Sequence, residues 1–223
     1  MLGAHGGLCQ KWYTIYEEAI HLPLMIHHSK WFGISQQIER LTSHVDILPT
    51  LLGLAGINPQ QAQSQMQVNH TEVHPLVGRN LSPLLEGRNR MMHTDEPLYF
   101  MTEDDVTKGL HQVNSRGEPY ESVTQPNSIE AVITTLPTGI WKLARYYDAT
   151  KRFSRERVTV ADEWEMYNLS ADPFEEQNLA YPPLLSPENM VIKEQLLQIL
   201  VMQRREKRLT PTHTSHASFD ITT

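Results

Sequence analysis

Only one cysteine, Cys9, stands among the 223 residues, and it has no CxxC companion. An internal disulfide is therefore excluded, and so is a thiolate zinc or dithiol redox centre. Cationic residues are also scarce: 19 Lys and Arg stand against 26 Asp and Glu, for a formal charge of −7. Nucleic-acid binding needs concentrated Lys and Arg along a phosphate track, so this balance argues against it. No stretch approaches the roughly 20 apolar residues of a membrane-spanning helix. The N-terminus shows no basic flank followed by an apolar run, the pattern of a secretory signal. What is present is 39% hydrophobic residues, enough to bury a core in one or two domains. Histidine, with 11 residues, is the one inflated count. His70, His74, His93, His111, His213 and His216 fall in loop-like stretches and are expected at the surface.

Along the chain, the run "LPLMIH" at residues 22–27 has the profile of a strand buried on both faces, as in a parallel sheet. "SHVDILPTLLGLAGI" predicts a covering helix, with Val45, Leu48, Leu52 and Ala55 at helical spacing and Gly56 as the stop. With Asp46 as N-cap, Pro49 falls in the first turn, where a missing N–H costs nothing. Residues 58–75, rich in Gln and poor in apolar side chains, read as an exposed linker. "LVGRNLSPLLEG" is expected to pack back on the preceding helix. From residue 97 the texture changes: "EPLYFMT", "SIEAVITTLP", "GIWKLARYYD" and "EWEMYNL" are short β-prone runs between turn residues. They predict a small antiparallel sheet, with "LPTG" as a hairpin turn and Ile140, Leu143 or Trp141 and Tyr147 alternating between faces. "SPENMVIKEQLLQILVMQRREKRL" predicts a helix with Ser186 as N-cap, Pro187 at its first position and basic residues complementing the dipole at its end. The tail after Leu209 reads as disordered.

Candidate chemistry gathers near the start, in "MLGAHGGLCQKWYTIYEEAIHLPLMI". His5 and Lys11 lie on a glycine-bearing loop just ahead of a buried segment, and ligand sites of α/β folds sit in such loops. Lysine suits a tetrahedral anion because its three donors rotate to meet whichever oxygen carries charge. Each residue alone reads as readily as a solvated lysine and a hydrogen-bonded histidine. The acidic run Glu103, Asp104 and Asp105 lacks the spacing of a calcium loop and is expected to be a solvated turn. Asn69, Asn80 and Asn168 are formal glycosylation acceptors of a kind that occurs by chance.

The order of the pieces carries a resemblance. G-x-H-G, then Lys11, "YEEAIHLPLMI", "SHVDILPTLLGLAGI", "LVGRNLSPLLEG" and "EWEMYNLSADPFEEQNLA" together resemble the C-terminal half of the type I sulfatases, of the alkaline-phosphatase superfamily. The resemblance implies an α/β fold class: the C-terminal part of a mixed-sheet catalytic domain, followed by a small antiparallel sheet with one helix. Residues 1–57 would then be the last piece of the catalytic domain, 58–96 a linker and packing segment, 97–209 the sheet-and-helix subdomain, and 210–223 a tail.

Sulfatases hydrolyse sulfate esters with a formylglycine nucleophile and a calcium ion, combining Lewis-acid and electrostatic stabilisation of a charged transition state. Lys11 matches the family lysine that contacts the sulfate near the leaving oxygen, and His5 matches the histidine of G-x-H-G, a candidate to line the pocket. Cys9, followed by Gln10, Lys11 and Trp12, departs from the C-x-P-x-R context of the formylglycine precursor. The family's D-H-G or D-N-G metal motif would lie ahead of Met1. The expectation is therefore a piece of a longer enzyme, inactive alone, whose complete form takes a sulfate ester of a small molecule or glycan. Family analogy places that enzyme in the periplasm or outside the cell; oligomeric state is left open. Two alternatives remain at this point: a phosphonate or phosphate ester hydrolase of the same superfamily, and a noncatalytic protein that keeps the C-terminal subdomain for binding or assembly.

Overall fold

The computed structural model describes residues 3–7, 14–70, 73–87, 96–103, 116–117, 128–147 and 161–208. They fall into two compact units, Met1–Ile26 with Asp95–Gln203, and His27–Thr94 with Arg204–Thr223. The chain is mixed in secondary structure and contains a four-stranded antiparallel sheet, as the sequence leads one to expect.

The sheet belongs to the first unit. Strands β1 (Leu98–Glu103), β2 (Ser128–Leu136), β3 (Gly139–Tyr147) and β4 (Glu163–Asn168) follow one another in the order β1-β2-β3-β4. Each corresponds to one of the four β-prone runs. The β2–β3 hairpin closes where Leu136 pairs with Gly139, leaving Pro137 and Thr138 to turn the chain. Gly139 adopts φ +126°, a conformation that L side chains rarely take. Thr138 Oγ1 accepts from the Trp141 indole at 2.9 Å, which orients that ring as the strand begins.

Both faces of the sheet are covered. On one, the long helix α6 (Pro187–Lys207) lays Leu196 and Leu200 over Val132, Trp141, Leu143 and Met166. Pro187 stands at its first position, and Ser186 Oγ accepts from Asn189 N at 3.2 Å, as the sequence indicates. On the other face Ile15 is sealed against Ile129, Ala131 and Ala144, with Ile20, Phe100 and Tyr146 around them. Strand alternation therefore sends Trp141 and Leu143 toward the helix, and Lys142 and Ala144 toward the N-terminal segment. That segment carries a distorted turn, α1 (Ala4–Gly7), and a single helical turn, α2 (Glu17–Ile20).

In the second unit a 3-10 turn at His44–Asp46 leads into helix α3 (Ile47–Leu54), and Gly56 ends it at φ +71°. Asp46 does stand just before α3, but its carboxylate does not cap that helix. It accepts from Ser43 N at 3.0 Å, from Arg79 N at 2.7 Å and from Arg79 Nη2 at 2.8 Å, in a buried pair. Leu81 N donates to Thr50 Oγ1 at 2.9 Å, tying the segment of α5 (Ser82–Leu85) to α3. "LVGRNLSPLLEG" thus packs on the helix as expected, but through polar contacts. Asp46, Pro49 and Thr50 turn inward, whereas Val45 and Leu48, read as core, are exposed.

Two more elements differ from the sequence reading. Residues 59–66, expected as loop, form helix α4 (Pro59–Met66). Asn58 Oδ1 accepts from Gln61 N at 3.0 Å and Pro59 occupies the first position, so a capped start combines with Gln and Ala, both good helix formers. Residues 22–27 are extended but not a strand, and Met25 is 91% exposed. An apolar run signals burial without supplying a partner edge, and among the described residues no strand pairs with it. Residues 209–223, where the tail was placed, lie outside the described residues.

Gly78 offers a direct check of the second unit. A Cβ there would collide with the backbone of Val45 and Asp46, which cannot rotate away as a side chain can. Gly78→Ala is expected to destabilise the protein by about 1–3 kcal/mol, read as a lowered denaturation midpoint. An unchanged midpoint would show that the two segments are not in contact.

Candidate functional site

Lys142 sits in the middle of β3 with a side chain that is 0% exposed. An ammonium there needs its three donors satisfied and its charge matched. Nζ donates to Ile15 O at 2.7 Å and to Glu17 Oε1 at 2.9 Å, and pairs in charge with Glu175 Oε1 at 2.5 Å. This last contact is an ion pair outside hydrogen-bond alignment. The other oxygen, Glu175 Oε2, accepts from Glu17 N at 2.6 Å. One buried carboxylate thereby grips both the lysine and the backbone of α2.

Glu175 reaches this position from the turn after β4. Asp172 caps that turn, its two carboxylate oxygens accepting from Glu176 N at 3.1 Å and Gln177 N at 3.0 Å. Glu175 itself takes a left-handed conformation at φ +55°, which a residue with a Cβ adopts only when its surroundings impose it. Burial pushes its carboxyl up from the ordinary range, and the Lys142 charge works against that shift.

A second set of groups continues across the same face. Tyr146 donates to Glu165 Oε2 at 2.8 Å, and Tyr16 approaches Oε1 at 3.5 Å. Burial raises the Glu165 carboxyl; the Tyr146 hydroxyl opposes this, while the nearby Glu175 charge adds to it. Burial, followed by the Glu165 charge, holds Tyr16, Tyr146 and Tyr167 above the usual phenol range. All three phenols stay neutral donors.

His5 joins this network through Tyr16. Its backbone is left-handed at φ 49° beside Gly6 at φ 78°, and the resulting turn lays the imidazole flat on the Tyr16 ring, with centroids 3.6 Å apart and planes at 6°. His5 Nε2 lies 2.9 Å from Glu18 Oε2. Partial burial pushes the Glu18 carboxyl up, but the hydrogen bonds from His5 and from a backbone amide outweigh it and hold the group below its usual range. His5, Glu18 and Glu175 each bring a potential ligand atom within 4.8 Å of the others. With the Lys142 ammonium already at Glu175, the arrangement is a charge-balanced network rather than a ready cation site.

Of the residues singled out in the sequence, His5 is placed in this network, while Lys11 and Cys9 lie outside the described residues. The stretches on either side of Lys11, residues 3–7 and 14–20, meet through the His5–Tyr16 stack and the His5–Glu18 pair. Among the loop histidines, His70 is exposed and His74 half-buried; His93, His111, His213 and His216 are outside the described residues. Asp104 and Asp105 are outside them too. Asn69 is exposed, whereas Asn168 spends its amide on the turn, accepting from Ser170 N at 3.1 Å. Sequence reasoning missed Lys142, Glu17, Glu175 and Glu165. The available signal was a lysine between Trp141 and Leu143 in a largely apolar strand, a position that calls for carboxylates elsewhere in the chain.

No family model matches the chain. Over 178 residues, 80% of its length, it is 26% identical to a curated sulfatase, and it is a sulfatase homologue. That relative is the N-acetylglucosamine-6-O-sulfatase of Bacteroides thetaiotaomicron, and the matched stretch is 24% of its length, so this chain spans about a quarter of it. Among solved structures, BT4656 in complex with its substrate D-glucosamine-2-N,6-O-disulfate aligns with 72% of this chain and 23% of its own, at 19% identity and a TM-score of 0.42. Among the described residues, no helix is long and apolar enough to cross a membrane.

Glu165 allows the electrostatics to be tested. A carboxyl whose folded-state pKa is raised favours folding when protonated, so its contribution is fully present below the unfolded pKa of about 4.3 and is lost as pH rises through the folded value. Glu165→Gln mimics the protonated form. The stability difference, variant minus wild type, should therefore grow as pH is raised from 4 to 8, measured by denaturant midpoints at each pH. A difference that shrinks with rising pH would mean that the carboxylate, not the acid, is the favoured form.

Proposed function

We propose that this chain is part of a sulfatase whose complete form hydrolyses a sulfate monoester. The observation that carries this reading is the 26% identity to a sulfatase over 80% of the chain. Lys11 contacts a sulfate oxygen near the leaving group, and His5 lines the same pocket. The relative's name points to a 6-O-sulfated amino sugar, on a small molecule or a glycan, as the substrate class. Residues 1–57 belong to the catalytic α/β domain in this reading and 97–209 to its C-terminal subdomain, with 58–96 between them. The enzyme works in the periplasm or outside the cell.

Formylglycine and calcium come from outside these residues. A hard cation such as calcium takes six to eight oxygen ligands. The cluster of His5, Glu18 and Glu175 does not fit it, having one imidazole, two carboxylates and a lysine already on one of them. Cys9 lacks the context of a formylglycine precursor. The chain's own contribution in this reading is a lysine, Lys11, whose charge meets that of a tetrahedral anion. A lysine suits this task because its donors follow charge from one oxygen to the next as the ester bond breaks.

The 223-residue chain should not turn over an aryl sulfate in the presence of calcium. The same chain joined to the coding sequence in frame ahead of its Met1 codon should do so, and Lys11→Ala should lower kcat/KM of that longer protein about 10²–10³-fold. Turnover by the short chain that Lys11→Ala abolishes would overturn the proposal. Activity of the longer protein on phosphate or phosphonate esters instead would favour the other branch of the superfamily, and a longer frame with no hydrolase activity would favour a binding role.

A further inference from the structure

Residues 8–13, Lys11 among them, run between two stretches that lead back to one face of the sheet. On one side, His5 rests on Tyr16 and pairs with Glu18. On the other, Ile15 is sealed under the sheet and gives its carbonyl to Lys142, while Glu17 gives Lys142 its carboxylate and Glu175 its amide. We propose that Lys142, Glu17 and Glu175 form a latch that fixes residues 15–17, on which His5 in turn rests, and so positions the anion-binding lysine carried between them. The three are positioning residues and touch no substrate. This inference rests on the reading of Lys11 as a sulfate contact.

The argument turns on what a buried ion pair is good for. Replacing one by apolar residues of similar volume is often neutral or stabilising, so such a pair is weak grounds for stability. Apolar contact already holds this segment, through Ile15 against Ile129, Ala131 and Ala144. Such contact is non-directional, however, and allows an extended chain to slide or roll. Lys142 removes that freedom. Its ammonium fixes the Ile15 carbonyl and the Glu17 side chain, and the Glu175 carboxylate fixes the next amide along. The left-handed backbone of Glu175 costs free energy, and the Asp172 turn and Lys142 hold it in place all the same.

The test uses the 223-residue chain and amide hydrogen exchange over residues 3–20 and over β2 and β3. Lys142→Met with Glu175→Leu replaces the buried pair by apolar side chains. Protection of residues 14–20 should fall about tenfold, while β2 and β3 change by less than about threefold. Glu175→Gln, which keeps an oxygen for Glu17 N, should restore most of that protection and keep the Glu17 amide proton shifted downfield. Should the double variant fail to fold, Glu17→Ala, at a side chain 23% exposed, removes a single acceptor and should still loosen 14–20 selectively. Unchanged protection at 14–20, or equal loss there and in the strands, would overturn the latch. Lys11→Ala should leave all of these protections as in wild type, so its effect on kcat/KM in the longer protein tests the reading of the site and not the latch.

Discussion

An ammonium group with no access to water organises one side of this protein. Lys142 is carried to the centre of a sheet between Trp141 and Leu143, and in that low-dielectric setting its charge must be answered. The answer comes from two distant parts of the chain, the start of α2 and the turn after β4. Neither turn would hold its shape alone: α2 is one helical turn long, and Glu175 occupies a strained backbone region. The lysine makes each a condition of the other.

From that constraint the rest of the face follows. Ile15 rests on Ile129, Ala131 and Ala144 with its carbonyl tied to Lys142, and Tyr16 is then turned so that its ring supports His5 and its hydroxyl meets Glu165. Loss of water raises the Glu165 and Glu175 carboxyls here, and neutral phenols stand beside Glu165. The opposite face is built in the plain way, by Leu196 and Leu200 of α6 on Trp141, Leu143 and Met166. The sheet thus has one face held by area and one held by geometry.

How much of this was legible in the sequence depended on whether a signal was local. The four strands were, because β-branched and aromatic runs between turn residues declare themselves over a few positions. So was α6, from Ser186 and Pro187 at its start. Helix α4 was obscured by glutamines that look like loop in composition, although the Asn58–Pro59 start was in view. Residues 22–27 show the limit from the other side: an apolar run reports a preference for burial and says nothing of what does the burying. Within the site, the glycine turn drew attention to His5, while Lys142 looked like the solvent face of an alternating strand. Its burial depends on Ile15 and Glu17, 127 and 125 residues away in sequence, and on Glu175 beyond the next strand, and no local pattern records them.

The same separation sets an order of events during synthesis. Glu175 follows Glu17 by 158 residues, so the segment around Glu17 cannot complete this contact until the turn that carries Glu175 has left the ribosome. Until then Ile15 and its neighbours have no surface to rest on, and closing so long a loop is among the slower steps available to a chain. The stack of His5 on Tyr16 can therefore take its final setting only once the Asp172 turn has emerged.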